Sequence, residues 1–155
     1  MIAATPPPPG TVARYEGEDE VADRAAIHAL LVAYGETLDR RDFDGFAQLF
    51  GDDGVYVIGE NEALGPQAAQ NMRENYRTGK NVARVPNFHM FFNEVTTFAG
   101  PDRAFSTSMC VFMVTDDAFP VPGPSARYED ELVKKDGRWY FARRKLVGIS
   151  NKPRQ

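Results

Sequence analysis

The sequence predicts an α+β domain, with helices covering one face of a curved antiparallel sheet. Helix-periodic segments crowd into the first half of the chain, and long extended runs fill the second. The turns between the runs, "GPD" at 100–102 and Asp136-Gly137, are those of tight hairpins. Helices followed by consecutive antiparallel strands segregate into layers, which is the α+β arrangement.

Each element has a local reason. From Glu20 to Arg40, Ala26, Ile27, Leu30, Leu31, Tyr34 and Leu38 recur at spacings of three and four and form one apolar stripe. "DFDGFAQLF" predicts a second, short helix, capped by Asp42 or Asp44, with Phe46, Leu49 and Phe50 on its apolar side. "VYVIG" reads as a short strand after the "GDDG" break. "GPQAAQNMRENYRTG" predicts a third helix with Pro66 in its first turn and Gly79 past its end. Four strands follow, in "NFHMFFNEVTTFA", "RAFSTSMCVFMVT", "ARYEDELVKK" and "RWYFARRKLVGI", with "DDAFPVPGPS" as a Pro/Gly-rich loop between the pairs. Residues 1–18, with Pro6 to Pro9, are expected to be a mobile extended arm, and residues 19–150 one domain.

Composition narrows the function. A net charge of −4 and a pI near 5.2 argue against nucleic acid or an anionic membrane as partner. No apolar run approaches the ~20 residues that span a bilayer. "MIAATPPPPG" lacks a basic segment followed by an apolar one, so a cytoplasmic location is expected. Cys110 is the only cysteine and sits in "SMCVFMV", as a small buried hydrophobe would. Two histidines without HxH or HExxH spacing predict no metal, and no glycine-rich phosphate loop predicts a nucleotide cofactor.

The middle strands lack clean alternation. One parity of residues 87–98 holds Phe88, Met90, Phe92 and Phe98; the other holds His89, Phe91, Asn93 and Val95. Both faces are therefore expected to be covered, one by helices and the other by a cavity or a second subunit. Phe88, Phe91, Phe92, Phe105, Met109, Phe112, Met113 and Phe119 are core by default. If one parity lines a cavity, that cavity suits a ring-bearing apolar substrate, with Phe91, Asn93, Ser108 and Phe112 as candidate contacts.

"DRAAIHALLVAYGETLDRRDFDGFAQLF", "FHMFFNEV" and "YEDELVKKDGRWYFARRKLV" together resemble the SnoaL-like branch of the nuclear-transport-factor-2-like superfamily over roughly residues 20–148. The resemblance implies a cone: a strongly bent sheet around a cavity, closed by helices, commonly assembled as a homodimer or homotrimer through the sheet's outer face. Within the branch the pattern is similar to scytalone dehydratase, bile-acid 7α-dehydratase and hexachlorocyclohexane dehydrochlorinase. Those enzymes pair an aspartate late in the first helix with a histidine on the strand after the third helix. The matching positions are Asp39 and His89, with Tyr34 at the dehydratases' tyrosine and Arg144 at the last-strand arginine. Arg143 competes with Arg144, because register decides which of two neighbours faces inward. Scytalone dehydratase's second pocket histidine has no counterpart, since His28 lies on the first helix; Ser106, Thr107 or Ser108 stands in that region.

The chemistry fits these residue types. An unperturbed imidazole has a pKa of ~6.5, and a carboxylate on one ring nitrogen fixes the tautomer and frees the other nitrogen to accept a proton. Asp39 lies where a helix dipole disfavours an anion; from the residues alone it is either an exposed member of the "DRRDFD" cluster paired with Arg40 or Arg41, or the partner of His89 that the resemblance implies. The resulting expectation is a cofactor-independent, dehydratase-like lyase acting on a small hydrophobic cyclic or aromatic molecule. An isomerase or a retro-aldol lyase would use the same pair. A cone that binds without chemistry, or an enzyme's structural subunit such as the small chain of ring-hydroxylating dioxygenases, are the competing readings.

Overall fold

The computed structural model describes residues 19–79, 87–116 and 119–149. The proline arm expected over residues 1–18 lies outside them. Three helices, α1 (Glu20–Asp39), α2 (Phe43–Gln48) and α3 (Gly65–Thr78), pack on one six-stranded sheet. Its strands are β1 (Val55–Ile58), β2 (Asn61–Leu64), β3 (Phe88–Gly100), β4 (Arg103–Asp116), β5 (Phe119–Lys135) and β6 (Arg138–Gly148), in the order β2-β1-β6-β5-β4-β3. β1 runs parallel to β6 and every other pair is antiparallel. This is the curved α+β cone that the resemblance implies, with its sheet left open and one parallel pair, β1–β6, in it.

The helix signals act where they stand. Asp42 accepts a hydrogen bond from the Gly45 N–H at 2.9 Å and caps α2. Gly79 ends α3 at φ 66°, a left-handed conformation that costs glycine little. On α1 the buried stripe is Asp23, Ile27, Leu30, Leu31, Tyr34, Gly35 and Leu38. Ala26, counted in that stripe from its spacing, is exposed. A carboxylate faces inward instead: Asp23 Oδ1 accepts from the Trp139 indole at 2.8 Å and sits 2.8 Å from Lys134 Nζ. This clip fastens the start of α1 to the β5–β6 hairpin. Asp23→Ala is expected to lower stability by about 1.5–3 kcal/mol in urea unfolding, because a buried indole donor and an ammonium both lose their acceptor. A loss below about 0.5 kcal/mol would mean that solvent replaces the carboxylate at no cost.

Two strand expectations are corrected. "DDAFPVPGPS" is a hairpin with little loop, for β4 runs to Asp116 and β5 starts at Phe119. Pro120, Pro122 and Pro124 share one parity, and β6 reaches no further along β5 than Ala126. The β4–β5 register also shifts between Val111 and Met113, opposite Pro122 to Ser125, and prolines are confined to such edge and bulged stretches of a strand. "NEAL", with no strand signal of its own, pairs with β1 as β2.

The mixed parity of β3 has a geometric cause. A bulge between Phe92 and Val95, with Asn93 at φ 53°, adds a residue and exchanges the two faces. His89 and Phe91 point inward before it; Phe98, 3% exposed, points inward after it. Of the aromatic residues taken as core, Phe88, Phe92 and Phe119 are exposed. The first two form an outward apolar stripe with Met90 on the edge strand.

Candidate active site

The end of α1 meets β3 because Gly35 lets it. A Cβ at that position would stand 2.8 Å from Phe91 Cε2 and 3.2 Å from His89 Cβ. One turn later, Asp39 spends both carboxylate oxygens on His89: Oδ1 lies 2.6 Å from Nδ1, and Oδ2 accepts the backbone N–H at 2.9 Å. These donors compensate an anion placed at the helix's negative end. Arg41, left-handed at φ 62°, donates to the carbonyls of Leu38 and Asp39 and to Asn87 Oδ1. It holds the helix terminus and takes no part in pairing with the Asp39 carboxylate.

With Nδ1 engaged by a carboxylate, the remaining imidazole nitrogen, Nε2, is the one able to accept a proton. The ring is gripped by Phe112, with centroids 4.7 Å apart, and lies parallel to Phe91 at 6.0 Å. His89 lines a cavity of about 380 Å³, and that size suits a small ring system. Leu38, Met72, Phe112 and Leu146 supply much of the apolar wall, and Tyr34, Tyr56, Tyr76 and Tyr128 also line it.

Three of those phenols form a cluster. Tyr34 Oη is 2.7 Å from Tyr56 Oη and 3.2 Å from Tyr128 Oη. Burial pushes all three hydroxyls well above the ordinary phenol value, so they remain protonated. Three O–H groups joined by two contacts use two protons, which leaves one donor for a ligand. Behind the cluster lies Arg144, fully buried, its guanidinium 4.1 Å from the Tyr34 ring centre and 3.9 Å from that of Tyr128. Its charge would favour negative charge on an oxygen bound by the phenols.

Arg144 donates from Nη1 to Asp130 Oδ2 at 2.7 Å, with both side chains fully enclosed. Burial drives the Asp130 carboxyl from the ordinary 3.8 up to about 7, against the lowering pull of Arg144. Between those values the folded chain holds a proton that the unfolded chain has released, so stability from this group falls as pH rises through the window. The urea-unfolding difference between wild type and Asp130→Asn is expected to shrink from about pH 4 to about pH 7 and then level off. A flat or rising difference would mean that the ion pair outweighs burial.

The structure thus brings Tyr34, Asp39, His89 and Phe112 to the cavity or directly behind it. Four other expected residues stand elsewhere. Arg144 faces inward, as Arg143 does not (Arg143 reaches Glu62 at 2.5 Å), yet it sits behind the tyrosine rings and does not line the cavity. Phe91 fills the space between His89, Tyr34 and Tyr128. Ser108 is buried with no partner for its hydroxyl among the described residues, and lies off the cavity wall. Asn93 is exposed, because its left-handed backbone forms part of the bulge that breaks the alternation. His28 is on the outer side of α1, paired with Glu94 at 2.7 Å. Tyr56, Tyr128 and Asp130 were not singled out from the sequence. A signal existed for two of them, since Tyr128 and Asp130 share the parity of the buried Leu132.

Among the described residues no group of three His, Cys, Asp or Glu side chains is placed to hold a metal ion. Cys110 lines the cavity, but burial pushes its thiol up to about 11 and keeps it protonated.

A sequence profile of the SnoaL-like domain matches residues 19–145. The chain belongs to the SnoaL-like family. No curated protein sequence matches this SnoaL-like chain. Solved structures do. A single-residue variant of Rv3472 from Mycobacterium tuberculosis, a protein of unknown function, is 24% identical with a TM-score of 0.75, over 85% of this chain and 75% of that one. A Novosphingobium aromaticivorans protein assigned provisionally as a scytalone dehydratase is 24% identical with a TM-score of 0.71, over 86% and 88%. Hexachlorocyclohexane dehydrochlorinase LinA-type3 from Novosphingobium barchaimii is 20% identical with a TM-score of 0.67, over 86% and 94%. At these identities the likeness is one of fold. No helix of the described residues is long and apolar enough to cross a membrane.

Proposed function

We propose that this SnoaL-like protein is a cofactor-independent lyase that removes a proton from carbon in a small, hydrophobic, cyclic or aromatic substrate and then expels water. The observation that carries the reading is the 2.6 Å contact between His89 Nδ1 and Asp39 Oδ1 at the wall of an apolar cavity. His89 Nε2 takes the proton. The electron pair released from the C–H bond moves to a carbonyl oxygen, which receives the phenol cluster's remaining hydrogen bond. Collapse of that enolate breaks the bond to a β-hydroxyl, and the imidazolium returns its proton to the departing oxygen as water. Asp39 orients the ring and stabilises its charged form. The family membership and the dehydratase and dehydrochlorinase among the similar folds support a lyase-type assignment.

Returning the proton to a different carbon would make the same site an isomerase, and breaking a carbon–carbon bond a retro-aldol lyase. All three share the first step, so the first test isolates it. 2-Tetralone, an apolar bicyclic ketone, is incubated with the protein in D2O and its α-hydrogens are followed by NMR. Exchange faster than the buffer rate is expected. Binding of the ketone without accelerated exchange would make the cone a binding module. The exposed Phe88, Met90 and Phe92 stripe is where a second or third copy of the chain would pack in the proposed homo-oligomer.

A further inference from the structure

The apolar cavity does not end at Tyr56. A second hollow of about 270 Å³ lies between α3 and the β1–β2 hairpin, and Tyr56, Ile58, Met72 and Asn75 belong to the walls of both. The sheet order sets its position. β2 and β3 are opposite edges of the sheet, and the annex is walled by β1, β2 and α3, with His89 not among its lining residues.

Its walls are of another kind. Asn61, Gln67, Asn71 and Asn75 bring four carboxamides to it, whereas among the described residues Asn75 is the one carboxamide of the larger cavity. Gln67 Nε2 donates to Asn71 Oδ1 at 3.0 Å, which leaves the Gln67 carbonyl and the Asn71 amide for other partners. Asn61 and Asn75 have no side-chain hydrogen bond to another described residue. Among the described wall residues the one charged group is Glu62, and Arg143 Nη2 neutralises it at 2.5 Å. Among the described residues no lysine or arginine lines the annex to hold a carboxylate or phosphate, and no unpaired carboxylate is there for an ammonium.

We propose that the annex binds an uncharged, hydroxyl-rich arm of the substrate, so that the molecule is bipartite: an apolar ring beside His89 and a sugar-like extension beyond Tyr56. A carboxamide both donates and accepts, and so does a hydroxyl, which makes the two sets complementary without a net charge on either. This inference rests on the larger cavity being the substrate site, and it needs no turnover for its test.

The experiment compares 2-naphthol with 2-naphthyl β-D-glucopyranoside by titration calorimetry. Two or three added hydrogen bonds are expected to make the glucoside bind about tenfold more tightly. In Gln67→Leu/Asn71→Leu, whose changes lie on α3 outside the larger cavity, that advantage is expected to disappear while 2-naphthol binding stays within about twofold. A glucoside that binds no better than 2-naphthol to the wild type overturns the annex and leaves the ring site intact. An advantage that survives the double substitution places the sugar elsewhere and also overturns it. If neither compound binds, both readings of the cavity fall together. Absence of deuterium exchange with tight glucoside binding would remove the lyase chemistry alone.

Discussion

His89→Gln is expected to abolish proton abstraction, with exchange of 2-tetralone falling by about 10²–10⁴-fold, the usual contribution of a positioned base. Glutamine keeps a polar side chain of similar reach and the backbone N–H that holds Asp39 Oδ2, so α1 and β3 stay docked. The thermal midpoint is therefore expected to change little. Asp39→Asn tests the other half of the pair. Its amide still spans the gap, but a neutral partner neither enforces the Nδ1–H tautomer nor offsets the imidazolium charge. A slower rate with an unchanged fold is the expected signature. Exchange at the wild-type rate in His89→Gln would refute the mechanism, and the base would have to be sought elsewhere on the cavity wall.

The largest effect on stability is expected at Arg144. Arg144→Met strands the Asp130 carboxyl in the interior and removes a guanidinium packed on four rings, those of Tyr34, Phe91, Tyr128 and Phe141. Breaking one side of a buried pair costs about 3–5 kcal/mol. The deficit is expected to grow with pH, because without the cation Asp130 resists ionisation still more than the wild-type group, whose value is about 7. Asp130→Leu/Arg144→Met removes the charge problem entirely and is expected to recover most of the loss, since a well-packed apolar pair can replace a buried ion pair at little cost. Urea unfolding of both variants decides the matter. If the single variant is as stable as the double, the ion pair contributes nothing. Exchange in the double variant then reports on function alone. A fall there, at near wild-type stability, would show the guanidinium acting through the phenols.

Much of the fold was legible because its signals are local. Apolar residues at helical spacing, the Asp42 cap, Gly79 past α3 and the Asp136-Gly137 turn are properties of a few adjacent residues, and each has its structural counterpart. β2 was not legible, for "NEAL" has little strand character until β1 lies beside it. Nor was the bulge at Asn93. One inserted residue reassigns every side chain that follows, and only pairing with β4 reveals it. The same insertion explains why Asn93 was placed at the site from alternation and stands in solvent.

The site divides along a similar line. The sequence alone supplied the candidate residue types: two histidines, one of them on a strand; a carboxylate at a helix end; a tyrosine on the apolar stripe of the first helix; and a pair of arginines on the last strand. It determined the family too, through motifs spread along the chain. Tertiary structure decided which of these meet. Asp39 and His89 are 50 residues apart, Tyr34 and Tyr128 are 94 apart, and no short-range rule links such pairs. Arg144 illustrates the difference. Alternation from the buried Trp139 and Phe141 would turn Arg143 inward, but β6 carries one extra residue where it pairs with Glu131 and Leu132, and Arg144 is the one enclosed. Side-chain type is fixed by sequence; distance and burial arise only when the core closes, and on them depend a tautomer, a raised carboxyl and a spare hydrogen-bond donor.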